Sequence, residues 1–179
     1  SGEFAGPDDA RGLPTLVAAA NWHALATWAG RAVPDGPALL MDMGSTTTDI
    51  IPLLDGLPVP AGLNDRDRLL SGELVYTGAV RTPVCAIVDS VPFRGESCPV
   101  AAEVFATIVD AYIVAGIVGE NVDDTNTADG RPLTLRCSQN RLAHMVCCDS
   151  TELTDMDLEA IAQHIVDVQC DQLQKSVLQ

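Results

Sequence analysis

The stretch LLMDMGSTTTDIIPLLDG, residues 39–56, is the feature that most restricts how this chain can fold. Two apolar segments of strand length flank Gly44 and four consecutive hydroxyl side chains, Ser45 to Thr48, with Asp42 and Asp49 near the two ends. A glycine at a bend between such segments predicts a strand–turn–strand hairpin, because glycine lacks a Cβ and adopts turn conformations at little cost.

The turn itself predicts phosphate binding. Successive backbone N–H groups in a turn form an anion-binding concavity, and hydroxyl groups add further donors. The candidate phosphate ligands are therefore Gly44, Ser45, Thr46 and Thr47. Asp42 and Asp49 are candidate Mg²⁺ ligands, since carboxylates hold a Mg²⁺ ion that a phosphate carries. The alternative is an ordinary hairpin whose threonines favour a strand and whose Asp49 caps the turn.

Composition and charge limit the possible partners. With 179 residues and 47% hydrophobic side chains, the chain has enough apolar material for a core. A net charge of -15 opposes binding to nucleic acids and anionic membranes, and no apolar stretch predicts a membrane span. Six cysteines without a C-x-x-C motif predict reduced thiols and a cytoplasmic protein. His144, Cys147 and Cys148 fall at i, i+3 and i+4 of a predicted helix, which indicates either metal ligands or a packed helix face.

The order of elements predicts an α/β domain over residues 14–179, preceded by a linker or non-native start over residues 1–13. Pro52 predicts that the second strand of the hairpin is an edge strand or ends at a bulge. Thr154 and Asp157 form a capping-box pattern for the last helix. Helices are predicted over 14–32, 99–119 and 134–148 and after 154, and strands over 38–43, 47–56, 84–88 and 91–93.

A resemblance to a known family extends this interpretation. MDMGSTTTDIIPL resembles the second phosphate loop of the actin-like ATPase superfamily, a β-hairpin that wraps the phosphates of a nucleotide. Together with AAANWHALA, RLLSGELVYTGAVRTPVCAIV, VPFRG, AAEVFATIVDAY and TADGRP, it resembles the hydantoinase/oxoprolinase-like proteins of tetrahydromethanopterin-linked C1 transfer and methanofuran biosynthesis. This resemblance covers nearly all of residues 15–150 and implies the ribonuclease-H-like half of an actin-like ATPase fold, with a mixed sheet packed by helices. Family members are longer and begin with another phosphate loop, so we expect this chain to correspond to their C-terminal half.

The resemblance also implies an activity. It implies a transferase that uses Mg²⁺, condenses an aminomethylfuran diphosphate with a γ-glutamyltyramine-like phenol, and releases diphosphate. One alternative is the ATP-dependent opening of a cyclic amide, as in hydantoinases and oxoprolinases. The other is a non-catalytic binding module. The expected partners are a phosphorylated small molecule and either a second copy of the chain or an N-terminal half, but neither nucleic acid nor a membrane.

Five further residues are candidates outside the turn. Arg81 and Arg94 are candidate phosphate clamps, because arginine binds phosphate bidentately, although a surface arginine in an acidic chain needs no such role. Asn21 is either a substrate contact or a hydrogen-bonding residue of the first helix. Glu103 and Asp129 are candidate catalytic carboxylates. Their alternatives are a favourable charge near a helix N-terminus and the start of a turn before Gly130.

Overall fold

The computed structural model describes residues 6–12 and 21–179. The chain divides into two compact units, whereas the sequence analysis treats residues 14–179 as one domain. Unit 1 contains the described residues up to Met43, Thr47–Tyr76 and Ser176–Gln179, and unit 2 contains Gly44–Thr46 and Thr77–Lys175. Within the expected linker, Pro7–Gly12 form a short helix, α1. Two acidic residues in its first turn and an ion pair between Arg11 and Asp8 favour this helix.

In unit 1, α1 is followed by the described part of the first predicted helix. Helix α2 spans Asn21–Ala29 and continues as a 3-10 turn over Gly30–Ala32, while residues 14–20 of the prediction lie outside the described residues. Trp22 and Ala26 are one turn apart and buried, and they pack with Ile51 and Leu53. The apolar face of α2 therefore covers the hairpin.

The predicted hairpin is confirmed, but its second strand does not lie at the edge of the sheet. The sheet of unit 1 contains β1 (Pro37–Met43), β2 (Thr48–Leu54), β3 (Leu57–Pro58) and β4 (Leu74–Val75), with helix α3 (Asp65–Ser71) before β4.

Strand β2 pairs with β1 on one side and with both β3 and β4 on the other, so the predicted edge strand is wrong. Pro52 is tolerated because it faces the β3 side, where its carbonyl accepts the Val59 N–H at 2.9 Å. The N–H and C=O of one strand residue point to the same side, so its missing N–H removes no bond to β1.

Unit 2 contains a short hairpin and three helices. Strands β5 (Ser90–Phe93) and β6 (Glu96–Pro99) pair with each other, which confirms the strand predicted at 91–93. The strand predicted over 84–88 is wrong, because Val84–Ala86 form a 3-10 turn after Pro83. The Val84 N–H donates to the Ala106 carbonyl, and the Ile87 and Val88 N–H groups both donate back to Val84. This local pattern replaces a strand ladder.

The three helices of unit 2 are α4 (Ile108–Val114), α5 (Leu135–Met145) and α6 (Asp155–Val177), the last of which belongs to unit 2 as far as Lys175. The prediction of a helix from residue 99 is wrong at its start. Pro99 ends β6, and the Asp110 carboxylate caps α4 by accepting the Thr107 N–H at 3.0 Å. The predicted capping box of α6 is confirmed, since Thr154 and Asp157 each accept the other's backbone N–H.

The described residues form helices and antiparallel sheets. Every strand pair among residues 6–12 and 21–179 is antiparallel, so the expected mixture of parallel and antiparallel strands is not present there. The main core of unit 2 lies between α4, α5 and α6 and includes Ile108, Leu142, Ile161 and Ile165. In this described part of the chain, no helix is both long enough and apolar enough to cross a membrane.

Candidate functional site

The turn between β1 and β2 is held by a second segment of unit 2. The Gly44 carbonyl accepts the Ala79 N–H at 2.8 Å, and the Ser45 carbonyl accepts the N–H groups of Val80 at 3.2 Å and Arg81 at 2.8 Å. Three consecutive amides thus bind the carbonyl side of the turn. The turn is therefore fixed by backbone contacts and not only by the hairpin that it closes.

The same turn also carries backbone N–H groups that have no protein acceptor in the described residues. No protein acceptor bonds the backbone N–H groups of Ser45 and Thr46 within the part of the chain that the structure describes. Ser45 is exposed, and its hydroxyl lies 3.4 Å from the Thr46 hydroxyl. Neighbouring N–H groups without partners, next to two hydroxyls, form the kind of concavity that binds an anion.

Arg81 brings a positive charge to this turn. Its Nη2 and Nε atoms donate to the Thr46 hydroxyl at 2.6 and 3.1 Å, and the side chain is exposed. A guanidinium carries five N–H donors in a planar fork, so further donors remain for a ligand oxygen. The predicted residues Gly44, Ser45, Thr46 and Arg81 are thus brought together.

Gly78 lies directly against the turn. A Cβ placed on Gly78 would stand 2.4 Å from the Thr46 nitrogen and 2.6 Å from the Gly44 carbonyl oxygen. Only glycine fits at this distance, because a real Cβ does not approach backbone atoms so closely. Sequence reasoning missed this residue, although the glycine in the segment TGAVRT is visible in the sequence.

Gln169 is a second residue that sequence reasoning missed. It lies on α6, is 1% exposed, and donates its amide hydrogens to the Thr77 hydroxyl at 2.7 Å and the Gly78 carbonyl at 3.0 Å. The Tyr112 hydroxyl donates to its carbonyl oxygen. Burial, and to a smaller degree the Cys170 thiol, raises the pKa of Tyr112, so this hydroxyl is protonated and donates at neutral pH. The available signal was a glutamine that continues the apolar face of Leu158, Ile161 and Ile165.

The two predicted metal ligands lie in unit 1 as cross-strand neighbours. Asp42 on β1 is in register with Asp49 on β2. Like charges directly opposite each other destabilise a sheet, and here the buried Arg68 compensates by binding Asp49 at 2.7 Å. The Arg68 guanidinium also stacks on the Trp22 ring at 4.0 Å. The register places the two residues side by side, but Arg68 already binds one oxygen of Asp49.

Four predicted residues have no bond to the turn in the described residues. Asn21 is exposed at the first described position of α2, and Glu103 is exposed in the loop before α4, where its carboxylate accepts the Val104 N–H. Glu103 is therefore not near a helix N-terminus. Arg94 stacks on Phe93 in the β5–β6 turn and donates to the Glu152 carbonyl.

The fourth, Asp129, belongs to a network of ion pairs. Its carboxylate binds Arg131 at 2.7 Å and the buried Arg141 at 2.9 Å. Partial burial alone would raise its pKa, but the hydrogen bonds from Arg131 and Arg141 lower the pKa to about 2. A carboxylate held in this charged state is poorly suited to exchange protons near neutral pH.

The cysteine and histidine residues do not form a metal site in the described residues, where no group of three metal-binding side chains is found. His144 is on α5, but that helix ends at Met145 and Cys147 has a φ of 56°, so Cys147 and Cys148 leave the helical spacing. The His144 ring packs edge-on against Phe105 instead. All six cysteines are free thiols.

Comparison with known proteins adds a family and two curated relatives. The family described as hydantoinase/oxoprolinase matches residues 1–179. A Methanocaldococcus jannaschii protein named (4-{4-[2-(gamma-L-glutamylamino)ethyl]phenoxymethyl}furan-2-yl)methanamine synthase is 34% identical over 158 residues, which are 88% of this chain and 47% of that protein. A protein of the same name from Methanococcus vannielii is 35% identical over 120 residues, which are 67% of this chain and 54% of that protein. The chain thus spans about half the length of these relatives.

Proposed function

Because the chain belongs to the hydantoinase/oxoprolinase family, we propose that it is the phosphate-binding part of a synthase in methanofuran biosynthesis. The proposed reaction joins an aminomethylfuran diphosphate to the phenol of a γ-glutamyltyramine-like acceptor. The name of both relatives supports this choice, since it contains a phenoxymethyl link to a furan that carries a methanamine group.

The bond changes define what the protein must supply. The bond between the furan methylene carbon and the diphosphate oxygen breaks, a new bond forms between that carbon and the phenol oxygen, and the phenol proton passes to water. Negative charge accumulates on the leaving diphosphate during this exchange. Fixed N–H donors and cations directed at that charge lower the barrier, because they need no reorganisation when the bond breaks.

The observation that carries the proposal is that the backbone N–H groups of Ser45 and Thr46 have no protein acceptor in the described part of the chain. The amides of Ala79, Val80 and Arg81 occupy the carbonyls of the turn, so the turn presents donors and not acceptors to an anion. The Arg81 guanidinium, already bound to Thr46, adds a charge that suits a diphosphate better than a single lysine would.

We further propose Asp42 and Asp49 as Mg²⁺ ligands and retain the ribonuclease-H-like half of an actin-like fold as the expected architecture. The divalent ion would supply charge neutralisation for the leaving diphosphate. Asp42 is the stronger candidate, because the carboxylate of Asp49 already forms an ion pair with Arg68. ATP is the second candidate ligand, because the resemblance also implies the ATP-dependent opening of a cyclic amide as an alternative activity.

Isothermal titration calorimetry with Mg²⁺ present tests the proposal on this chain. Pyrophosphate and ATP are titrated separately into the wild type, Arg81→Lys and Arg136→Lys. The last is a matched control, because Arg136 is an exposed arginine of unit 2. We expect the wild type to bind pyrophosphate and Arg81→Lys to bind it about tenfold more weakly, since lysine keeps the charge but lacks the planar N–H donors of the guanidinium. Arg136→Lys should leave the affinity for pyrophosphate unchanged.

Gly44→Val probes the same turn from the backbone side and is expected to abolish pyrophosphate binding. Binding of ATP alone would favour the nucleotide-dependent alternative. Equal affinities in Arg81→Lys, Gly44→Val and the wild type would show that the turn is not the phosphate site.

A further inference from the structure

We propose that Gln169 is a positioning residue that sets the turn at residues 44–46 through Gly78, an inference that rests on the proposed function of that turn. Within the described residues, no hydrogen bond joins Gln169 to the turn or to a group that we assign to a ligand. It acts on the segment that holds the turn. All the residues in this chain of contacts belong to unit 2.

The orientation of the Gln169 amide is determined by its neighbours. The Gly78 carbonyl is only an acceptor, so it must face the amide nitrogen, which lies 3.0 Å away. The protonated Tyr112 hydroxyl must then donate to the opposite end, the amide oxygen. Reversing the amide would place two acceptors against each other, so one orientation satisfies the network.

Gly78 is held on both of its peptide groups. The Gln169 amide donates to the Gly78 carbonyl, and the Gly78 N–H donates to the Thr82 hydroxyl at 2.8 Å. The next three amides along the chain are those that bind the carbonyls of Gly44 and Ser45. A rotation of the peptide after Gly78 would therefore change the direction of the first of these donors and loosen the turn.

The burial of Gln169 supports this role. Its side chain stands where the apolar face of α6 passes from Ile165 and Val166 to Leu173, all of which are buried. A leucine of similar volume would fill this position and avoid the desolvation of an amide. In the described residues, the hydrogen bonds of this polar side chain join Tyr112 to the segment at Thr77 and Gly78.

The test compares Gln169→Glu, Gln169→Leu and Gln163→Leu, the last being the same substitution on the exposed face of α6. Backbone amide hydrogen exchange is followed by NMR at Ala79, Val80 and Arg81, with the amides of Ile161 and Ile165 as reporters of the core. An ionised glutamate at position 169 has no hydrogen to donate to the Gly78 carbonyl, and a leucine cannot bond that carbonyl at all, so the leucine variant decides the test if the buried glutamate is protonated. We expect at least tenfold faster exchange at residues 79–81 in both Gln169 variants, unchanged exchange in the core, and no change in Gln163→Leu.

Tyr112→Phe provides a milder variant in case the Gln169 substitutions unfold unit 2. It removes only the hydroxyl that orients the amide, and a smaller increase in exchange at residues 79–81 is expected. Exchange at these amides that equals the wild type in every folded variant would overturn the inference.

Pyrophosphate titration of the same variants links the inference to function. We expect about tenfold weaker binding in Gln169→Glu and wild-type binding in Gln163→Leu. If the wild type binds no pyrophosphate, the proposed function fails, while the exchange rates still decide whether Gln169 positions the turn.

Discussion

Replacing Gly78 with alanine is the most direct perturbation of the candidate site. The new Cβ would lie 2.4 Å from the Thr46 nitrogen and 2.6 Å from the Gly44 oxygen, both of which are backbone atoms. Ordinary contact begins near 3.4 Å, so the two segments must separate by about 1 Å. No side-chain rotation can relieve this clash, because the obstructing atoms are themselves part of the turn.

The separation breaks the bonds between the segments. The amides of Ala79 and Arg81 donate at 2.8 Å and that of Val80 at 3.2 Å, and a displacement of about 1 Å carries all three beyond hydrogen-bonding distance. At about 0.5–1.5 kcal/mol for each net hydrogen bond, their loss lowers the free energy of unfolding by about 1.5–4.5 kcal/mol.

Urea unfolding measures this loss, with Gly119→Ala as the matched control. Gly119 is in the same unit, and its φ is not positive. A Cβ placed on Gly119 would have no other atom within 4 Å. An alanine there should be neutral or stabilise by up to about 1 kcal/mol, because it restricts the unfolded chain. If Gly78→Ala unfolds at the same urea concentration as Gly119→Ala, the close contact between Gly78 and the turn is refuted.

Two further predictions concern the ion-pair network around Arg141. Arg141→Met leaves the carboxylate of Asp110 buried without its cation. We therefore expect urea unfolding to show that the free energy of unfolding falls by about 3–5 kcal/mol. Arg136→Met on the surface is the control and should change the free energy of unfolding by less than about 0.5 kcal/mol. Asp129 has a folded-state pKa lowered from 3.8 to about 2, so its contribution is present above about pH 4 and is lost as the pH falls towards 2. Asp129→Asn should therefore be less stable than the wild type at pH 5, and this difference should shrink steadily in urea titrations between about pH 4 and pH 2; a constant difference would contradict the assigned ion pairs.

Local sequence signals predicted the elements whose cause is itself local. The apolar segments around Gly44 gave the hairpin, and the Thr154–Asp157 pair gave the start of α6. Two local signals competed at α4, where Pro99 suggested a helix start and Thr107 with Asp110 formed the actual cap. The β-branched residues at 84–88 favour a strand, but the turn after Pro83 outweighs that preference.

The candidate site was predictable only in part, for a physical reason. The residues of the turn are consecutive, so their hydroxyls and glycine stand out in the sequence. The groups that hold the turn are the amides of Ala79, Val80 and Arg81, and the preceding Gly78 is bound by Gln169 from a distant helix. Such contacts depend on tertiary packing, which a pattern in one segment does not encode. The predicted catalytic pair also lacked a shared environment, because Glu103 is solvent-exposed whereas Asp129 is bound by two arginines.

The Asp110 carboxylate has a consequence for how unit 2 folds. One of its oxygens accepts the Thr107 N–H at the start of α4, and the other accepts from Ser138 and Arg141 on α5. The carboxylate that caps the start of α4 therefore also binds α5. If either helix packed first, it would bury a charge before the partner of that charge was in place, which is unfavourable. The two helices are accordingly expected to reach their final positions in a single cooperative event, because both depend on the same carboxylate.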